Sequence, residues 1–115
     1  MEMKPKEIAI AAAKALDEKM GADIRIFDVR EKSSITDFTV VATGTSAPHL
    51  KALIAEVQHQ MKDAGVMSYR TSGDPESGWV IVDYVDVVVH VFSPEARAYY
   101  AIEKLWADAP IVEME

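Results

Sequence analysis

Gly78-Trp79-Val80-Ile81-Val82-Asp83-Tyr84-Val85-Asp86-Val87-Val88-Val89-His90-Val91-Phe92 is the stretch that decides the fold. Two runs rich in β-branched residues flank a short acidic connector, and such runs read as strands. The connector at Val85-Asp86 is short enough for a hairpin, so the pattern predicts strands over 79–84 and 87–92. Ser93-Pro94-Glu95 then reads as a helix start: a capping hydroxyl, proline at the first helical position, and a carboxylate near the positive end of the dipole. Tyr99, Ile102, Leu105 and Trp106 form the apolar stripe of that helix, which makes Tyr99 and Trp106 core residues. Pro110 predicts the end of ordered structure, with a frayed acidic tail behind it.

Upstream, Pro5 suits the first turn of a helix, and Ile8, Ala11, Ala12, Ala15 and Leu16 fall on one face before Gly21 stops it. Residues 23–30, with Ile24, Ile26 and Val29, predict a strand. Phe38 to Thr43 is near-continuously β-branched, as in a strand buried on both faces. Ser46 caps the next helix, where Leu50, Leu53, Ile54, Val57 and Met61 recur at helical spacing until Gly65. Val66 to Tyr69 predicts a short strand, and Thr71 to Gly78 a polar loop. The order predicts an α/β fold: a mixed β-sheet of about five strands packed with α-helices.

A chain of 115 residues predicts one domain spanning 1–115. Half of it is hydrophobic and 27% charged, which is ordinary for a soluble globular protein. No apolar run is long enough to span a bilayer, so no membrane partner is expected. Met1-Glu2-Met3-Lys4-Pro5 lacks the features of a secretory or transit segment. The absence of cysteine excludes disulfides and thiolate metal sites. The cytoplasm is the expected location. The net charge is −7 and the twelve basic residues are scattered. Direct nucleic-acid binding needs a basic patch, so none is expected. An acidic chain suits a basic protein partner, although net acidity also serves solubility alone.

Catalytic readings find little support. Asp37, Asp83, Asp86 and His90 are the candidate cluster. Asp86 and His90 share a face if extended, yet at about 3.3 Å per residue they lie more than about 10 Å apart. That is too far to share a metal. Asp83 and Asp86 therefore read as turn formers and His90 as a locally bonded ring. Thr43-Gly44-Thr45-Ser46 weakly resembles the Gly-Ser helix start of nucleotidyltransferases, where loop N–H groups hold a phosphate. No carboxylate follows until Glu56, so a capped helix is the simpler reading. There is no Gly-x-Ser-x-Gly elbow, and His49, His59 and His90 show no metal-ligand spacing. No catalytic residue, metal or cofactor is expected. What remains is surface. Trp79 and Tyr84 bury large areas with few rotors and suit interface anchoring, with core packing at the sheet end an equal alternative for Trp79. Arg97 and Glu103 are six apart, outside (i, i+4) reach, so each is expected to bond to loops or to the hairpin.

From about Pro5 to Asp108 the chain resembles the ribosomal silencing factor family, also called Iojap-related. The resemblance rests on Asp23 to Asp28, Lys32-Ser33-Ser34-Ile35-Thr36-Asp37-Phe38, Thr43-Gly44-Thr45-Ser46, Trp79-Val80-Ile81-Val82-Asp83-Tyr84, Asp86-Val87-Val88-Val89-His90 and Arg97-x-x-Tyr100-x-x-Glu103-x-Leu105-Trp106. Their order and spacing cover nearly the whole chain. The resemblance implies a fold of nucleotidyltransferase-like topology without the active site, and no enzymatic activity. It implies a translation repressor that binds the large ribosomal subunit through ribosomal protein number fourteen and sterically blocks joining of the small subunit. Trp79 and Tyr84 would be apolar anchors, and Asp83 and Asp86 would meet basic groups. Asp37, Ser46, His90, Arg97 and Glu103 would be structural or accessory. The family's self-association implies a homodimer. Two departures stand out: Pro48 where the family commonly has a basic residue, and Val85 where it often has glycine. The alternative function is a small nucleotidyl or phosphoryl transferase using Ser46 and the aspartates.

Overall fold

The hydrophobic periodicity of the chain becomes three helices and six strands in the computed structural model, which describes residues 3–114. Met1 and Glu2, part of the segment read for targeting signals, and Glu115 lie outside the described residues. The elements are α1 (Pro5–Glu18), β1 (Ala22–Asp28), β2 (Phe38–Thr43), α2 (Ala47–Asp63), β3 (Arg70–Asp74), β4 (Trp79–Asp83), β5 (Val87–Phe92), α3 (Pro94–Tyr100) and β6 (Ile111–Val112). Single 3₁₀ turns at Pro75–Ser77 and Ile102–Trp106 complete them.

The strands form one mixed sheet in the order β3-β4-β5-β2-β1-β6. The central β2–β5 pair is parallel, with Val40 beside Val89 and Val41 beside His90. The remaining pairs are antiparallel. All six residues of β2 are buried, as its unbroken apolar run predicts.

Helices α1 and α2 cover one face. Ile8, Ala9, Ala12, Ala13, Ala15 and Leu16 meet Leu50, Leu53, Ile54, Val57 and Met61 over Ile26, Val40, Val80, Val82, Val89 and Val91. The alanines of α1 let its backbone sit close to its neighbours. Helix α1 ends at the predicted place by a different device: Met20, not Gly21, takes the left-handed conformation, with φ 67°. Gly21 is needed for closeness, since a Cβ there would lie 3.0 Å from the Leu16 carbonyl oxygen and 3.3 Å from Leu53. Gly65, at φ 82°, terminates α2 as expected. Ser46 accepts from the His49 N–H at 3.2 Å and caps α2. The His49 ring accepts from the Thr45 N–H at 2.9 Å and meets the Lys19 carbonyl at 2.7 Å, tying this loop to the end of α1.

Four local expectations are corrected. Residues 66–69 are not a strand; β3 starts at Arg70 and occupies the first half of the stretch read as a polar loop. Every residue of β3 is exposed, so it carries no hydrophobic signal, and only pairing with β4 makes it a strand. The last helix is short: Ala101 enters the left-handed region at φ 48° and stops α3. Tyr99, read as core, is consequently 81% exposed, and Leu105 is exposed too. Structure also continues past Pro110, because β6 pairs with Ile26 and Phe27 of β1.

Candidate functional site

Strand alternation assigns β4 to two environments. Val80, Val82 and Tyr84 face the helices, whereas Trp79, Ile81 and Asp83 face the other side of the sheet. Across β5 their partners are Phe92, His90 and Val88. This second face is only partly covered. Ala96 of α3 and Ile102, Trp106 and Ala109 beyond it pack with Phe27, Val29, Val41 and Phe92, with Trp79 at the margin. A groove of about 460 Å³ remains open beside them.

The groove floor is Thr39, Val88, His90 and Asp83; Trp106 closes one side. Ser33, Ile35, Thr36, Tyr69 and Val85 form the rim. Ile35 is 83%, Tyr69 70% and Val85 52% exposed. Three large apolar side chains standing in solvent around one groove single it out as the candidate interaction surface.

The Asp83 carboxylate and the backbone of Asp86 and Asp37 serve the turn. Asp83 Oδ1 accepts from the Val85 N–H at 2.7 Å, and the Asp86 carbonyl accepts from the N–H groups of Asp37 and Phe38 at 2.8 and 3.1 Å. Asp37 thus joins the hairpin tip to the start of β2, a structural task. Among the described residues neither Asp83 nor Asp86 is in a salt bridge. Both remain available to an external cation. No three His, Asp or Glu side chains converge in a metal-binding geometry among the described residues. Ser46 is engaged in capping α2.

His90 faces the second side of the sheet, partly covered. The indole N–H of Trp79 donates to its Nδ1 at 3.2 Å. An indole N–H can only donate, so Nδ1 carries no proton. Burial pushes the imidazole down to about 4, against a smaller upward pull from Asp83. Trp79 is half-buried, tilted 4.5 Å from the Tyr100 ring and stacked 5.0 Å from Phe92. It belongs to the packing of this face as well as to its surface.

Tyr84 departs from its expected placement. It is 7% exposed and lies in the helix-side core, where desolvation pushes its phenol up to about 12. Trp79 and Tyr84 therefore do not share a surface; Trp79 and Asp83 do. Arg97 and Glu103 also differ from expectation, because they bond to each other. The guanidinium donates to both carboxylate oxygens at 2.7 and 3.0 Å and to Thr43 Oγ1 at 2.7 Å. This holds the Glu103 carboxyl below its usual range. The left-handed turn at Ala101 brings the two together where a continuous helix would separate them.

Three rim residues escaped the sequence reading: Ile35, Tyr69 and Val85. Ile35 and Val85 carry a usable signal, an aliphatic side chain inside a polar turn where no core can receive it.

The family model described as "Ribosomal silencing factor during starvation" matches residues 2–115. The chain is similar to the ribosomal silencing factor of Bacillus subtilis, 37% identical over 113 residues, covering 98% of this chain and 96% of that protein. It is similar at 34% identity to the chloroplastic protein Iojap of Zea mays, of which the match covers 46%. A crystal structure of a Chromobacterium violaceum protein superposes with a TM-score of 0.87 at 43% identity, covering 91% of this chain and 88% of that one. A Bacillus halodurans structure gives 0.81 at 33%, covering 94% and 98%.

Proposed function

The chain belongs to the ribosomal silencing factor family, and from that premise we propose that it represses translation by docking on the large ribosomal subunit through ribosomal protein number fourteen, thereby excluding the small subunit. This family is not an enzyme class, and exclusion requires no chemistry. It requires a surface that binds tightly and occupies the joining face. The observation that carries the reading is the groove on the open side of the sheet, rimmed by exposed Ile35, Tyr69 and Val85 and lined by Asp83, whose carboxylate is in no salt bridge among the described residues. Apolar anchors beside a carboxylate outside any ion pair suit a basic protein with apolar contact points. The net charge of −7 favours protein over RNA phosphate as the contact. Trp79, on the same face, extends the surface toward the far end of β4; Tyr84 supports it from within. The whole chain acts as one domain, in the cytoplasm, and the homodimer implied by the resemblance belongs to the same reading.

The experiment is co-sedimentation with purified large subunits, followed by light scattering of subunit joining. Wild-type protein is expected to pellet with large subunits and to suppress joining. Ile35→Asp, at a site too exposed to matter for folding, is expected to lose both. Free wild-type protein at moderate salt, or undiminished joining at saturation, ends the proposal.

A further inference from the structure

The tip of the β4–β5 hairpin contains the least comfortable backbone of the candidate surface. The Asp86 N–H donates to the Tyr84 carbonyl at 2.9 Å, closing a three-residue γ-turn on Val85. Val85 sits at φ 73°. Left-handed backbone is costly for any residue with a Cβ, and most costly for a β-branched one. A γ-turn of this hand is rare and strained. The surroundings over-determine it: Asp83 Oδ1 accepts from the Val85 N–H at 2.7 Å, and the Tyr84 N–H donates to the Val87 carbonyl at 2.8 Å. The Asp86 carbonyl is held by two N–H groups from the β2 start.

Glycine would satisfy this backbone without strain, and among the described residues Val85 belongs to neither buried cluster. Its isopropyl group is 52% exposed, at the mouth of the groove beside Ile35 and Tyr69. A strained residue that contributes little to its own core is usually held for an external purpose. We infer that Val85 is a specificity anchor of the docking surface: its isopropyl group is displayed by the strained turn to enter an apolar depression on a basic partner protein, with Asp83 in the same groove placed to pair with a cation at that depression's edge. This rests on the docking reading above and deepens it. The commitment to a basic partner follows from Asp83, a groove-lining carboxylate in no salt bridge among the described residues, together with the net charge of −7.

The test measures two quantities in three proteins: wild type, Val85→Gly and Val85→Ala. Thermal melting reads the strain, and co-sedimentation titration with large subunits reads the anchor. Val85→Gly is expected to raise Tm and weaken docking about tenfold, the scale of losing an interface anchor. Val85→Ala keeps a Cβ at the same φ, so it is expected to weaken docking similarly with little gain in Tm. This opposition separates the lost side chain from loosened backbone. A purely structural residue would move Tm alone. Unchanged affinity in both variants, with wild type bound, overturns the anchor and leaves the docking reading standing. Absence of wild-type binding overturns both.

Discussion

The indole N–H of Trp79 donates to Nδ1 of His90 across the β4–β5 pair, at 3.2 Å. Residues eleven apart in sequence meet because the hairpin register sets Trp79 beside Phe92 and Ile81 beside His90. The bond and the partial burial both require a neutral imidazole.

Stability should therefore depend on pH through His90. Its folded value, about 4, lies below the ordinary 6.5. Between those values the unfolded chain binds more protons than the folded one. The sign follows: no His90 contribution above about pH 6.5, and progressive destabilisation as pH falls toward 4, at up to about 1.4 kcal/mol per unit. His90→Gln keeps an acceptor for the indole without titrating. Urea melts from pH 4.5 to 7.5 should show a shallower slope for the variant; identical slopes would refute the assignment.

Trp79 couples packing to surface, so truncation affects both. Trp79→Ala removes the ring stacked on Phe92 and tilted against Tyr100, and it should cost about 2–3 kcal/mol of stability. Trp79→Phe keeps an aromatic ring and loses the N–H, for a cost of about 1 kcal/mol. The phenylalanine variant is the cleaner probe of docking, read by sedimentation at a temperature where both proteins are folded.

The Arg97–Glu103 pair fastens α3 and the 3₁₀ turn behind it to the end of β2 through Thr43. Glu103→Gln should cost about 1–2 kcal/mol, because the guanidinium loses its ionic partner in a partly buried site. The depressed Glu103 value means that the wild-type contribution is present above the ordinary carboxylate range and is lost as pH falls through the folded value. Acid titration of wild type and variant should converge at low pH. Persistent divergence there would contradict the ion-pair account.

Gly73 sits in β3 at φ 87°, and a Cβ there would lie 2.2 Å from the Trp79 carbonyl oxygen. Gly73→Ala should loosen β3 from β4 at about 2–3 kcal/mol. Hydrogen exchange would show faster amides in β3 while the β2–β5 centre stays protected. Uniformly unchanged exchange would count against the clash.

Much of the architecture was legible because its causes are local. The apolar spacing of α2, the buried run of β2, the hairpin strands and the serine caps at Ser46 and Ser93 all depend on residues within about one turn or one strand of each other. The resemblance to silencing factors was legible for a related reason: it is written in the order of short segments. The site was less legible. Tyr84 looked like an anchor because tyrosines often are, but alternation along β4 turns it toward the helices while Trp79 and Asp83 face outward.

The sequence alone determined most of the helical and extended segments and where several of them stop, since periodicity and capping act between near neighbours; the family was carried by the resemblance of its ordered motifs. Tertiary structure alone decided that β2 lies parallel to β5 some fifty residues away, that exposed Arg70–Asp74 becomes a strand, and that the chain breaks at Ala101 so Arg97 can grip Glu103. Those outcomes depend on pairing and burial between distant segments. No local pattern encodes them, because the free energy that selects them exists only once the sheet has formed.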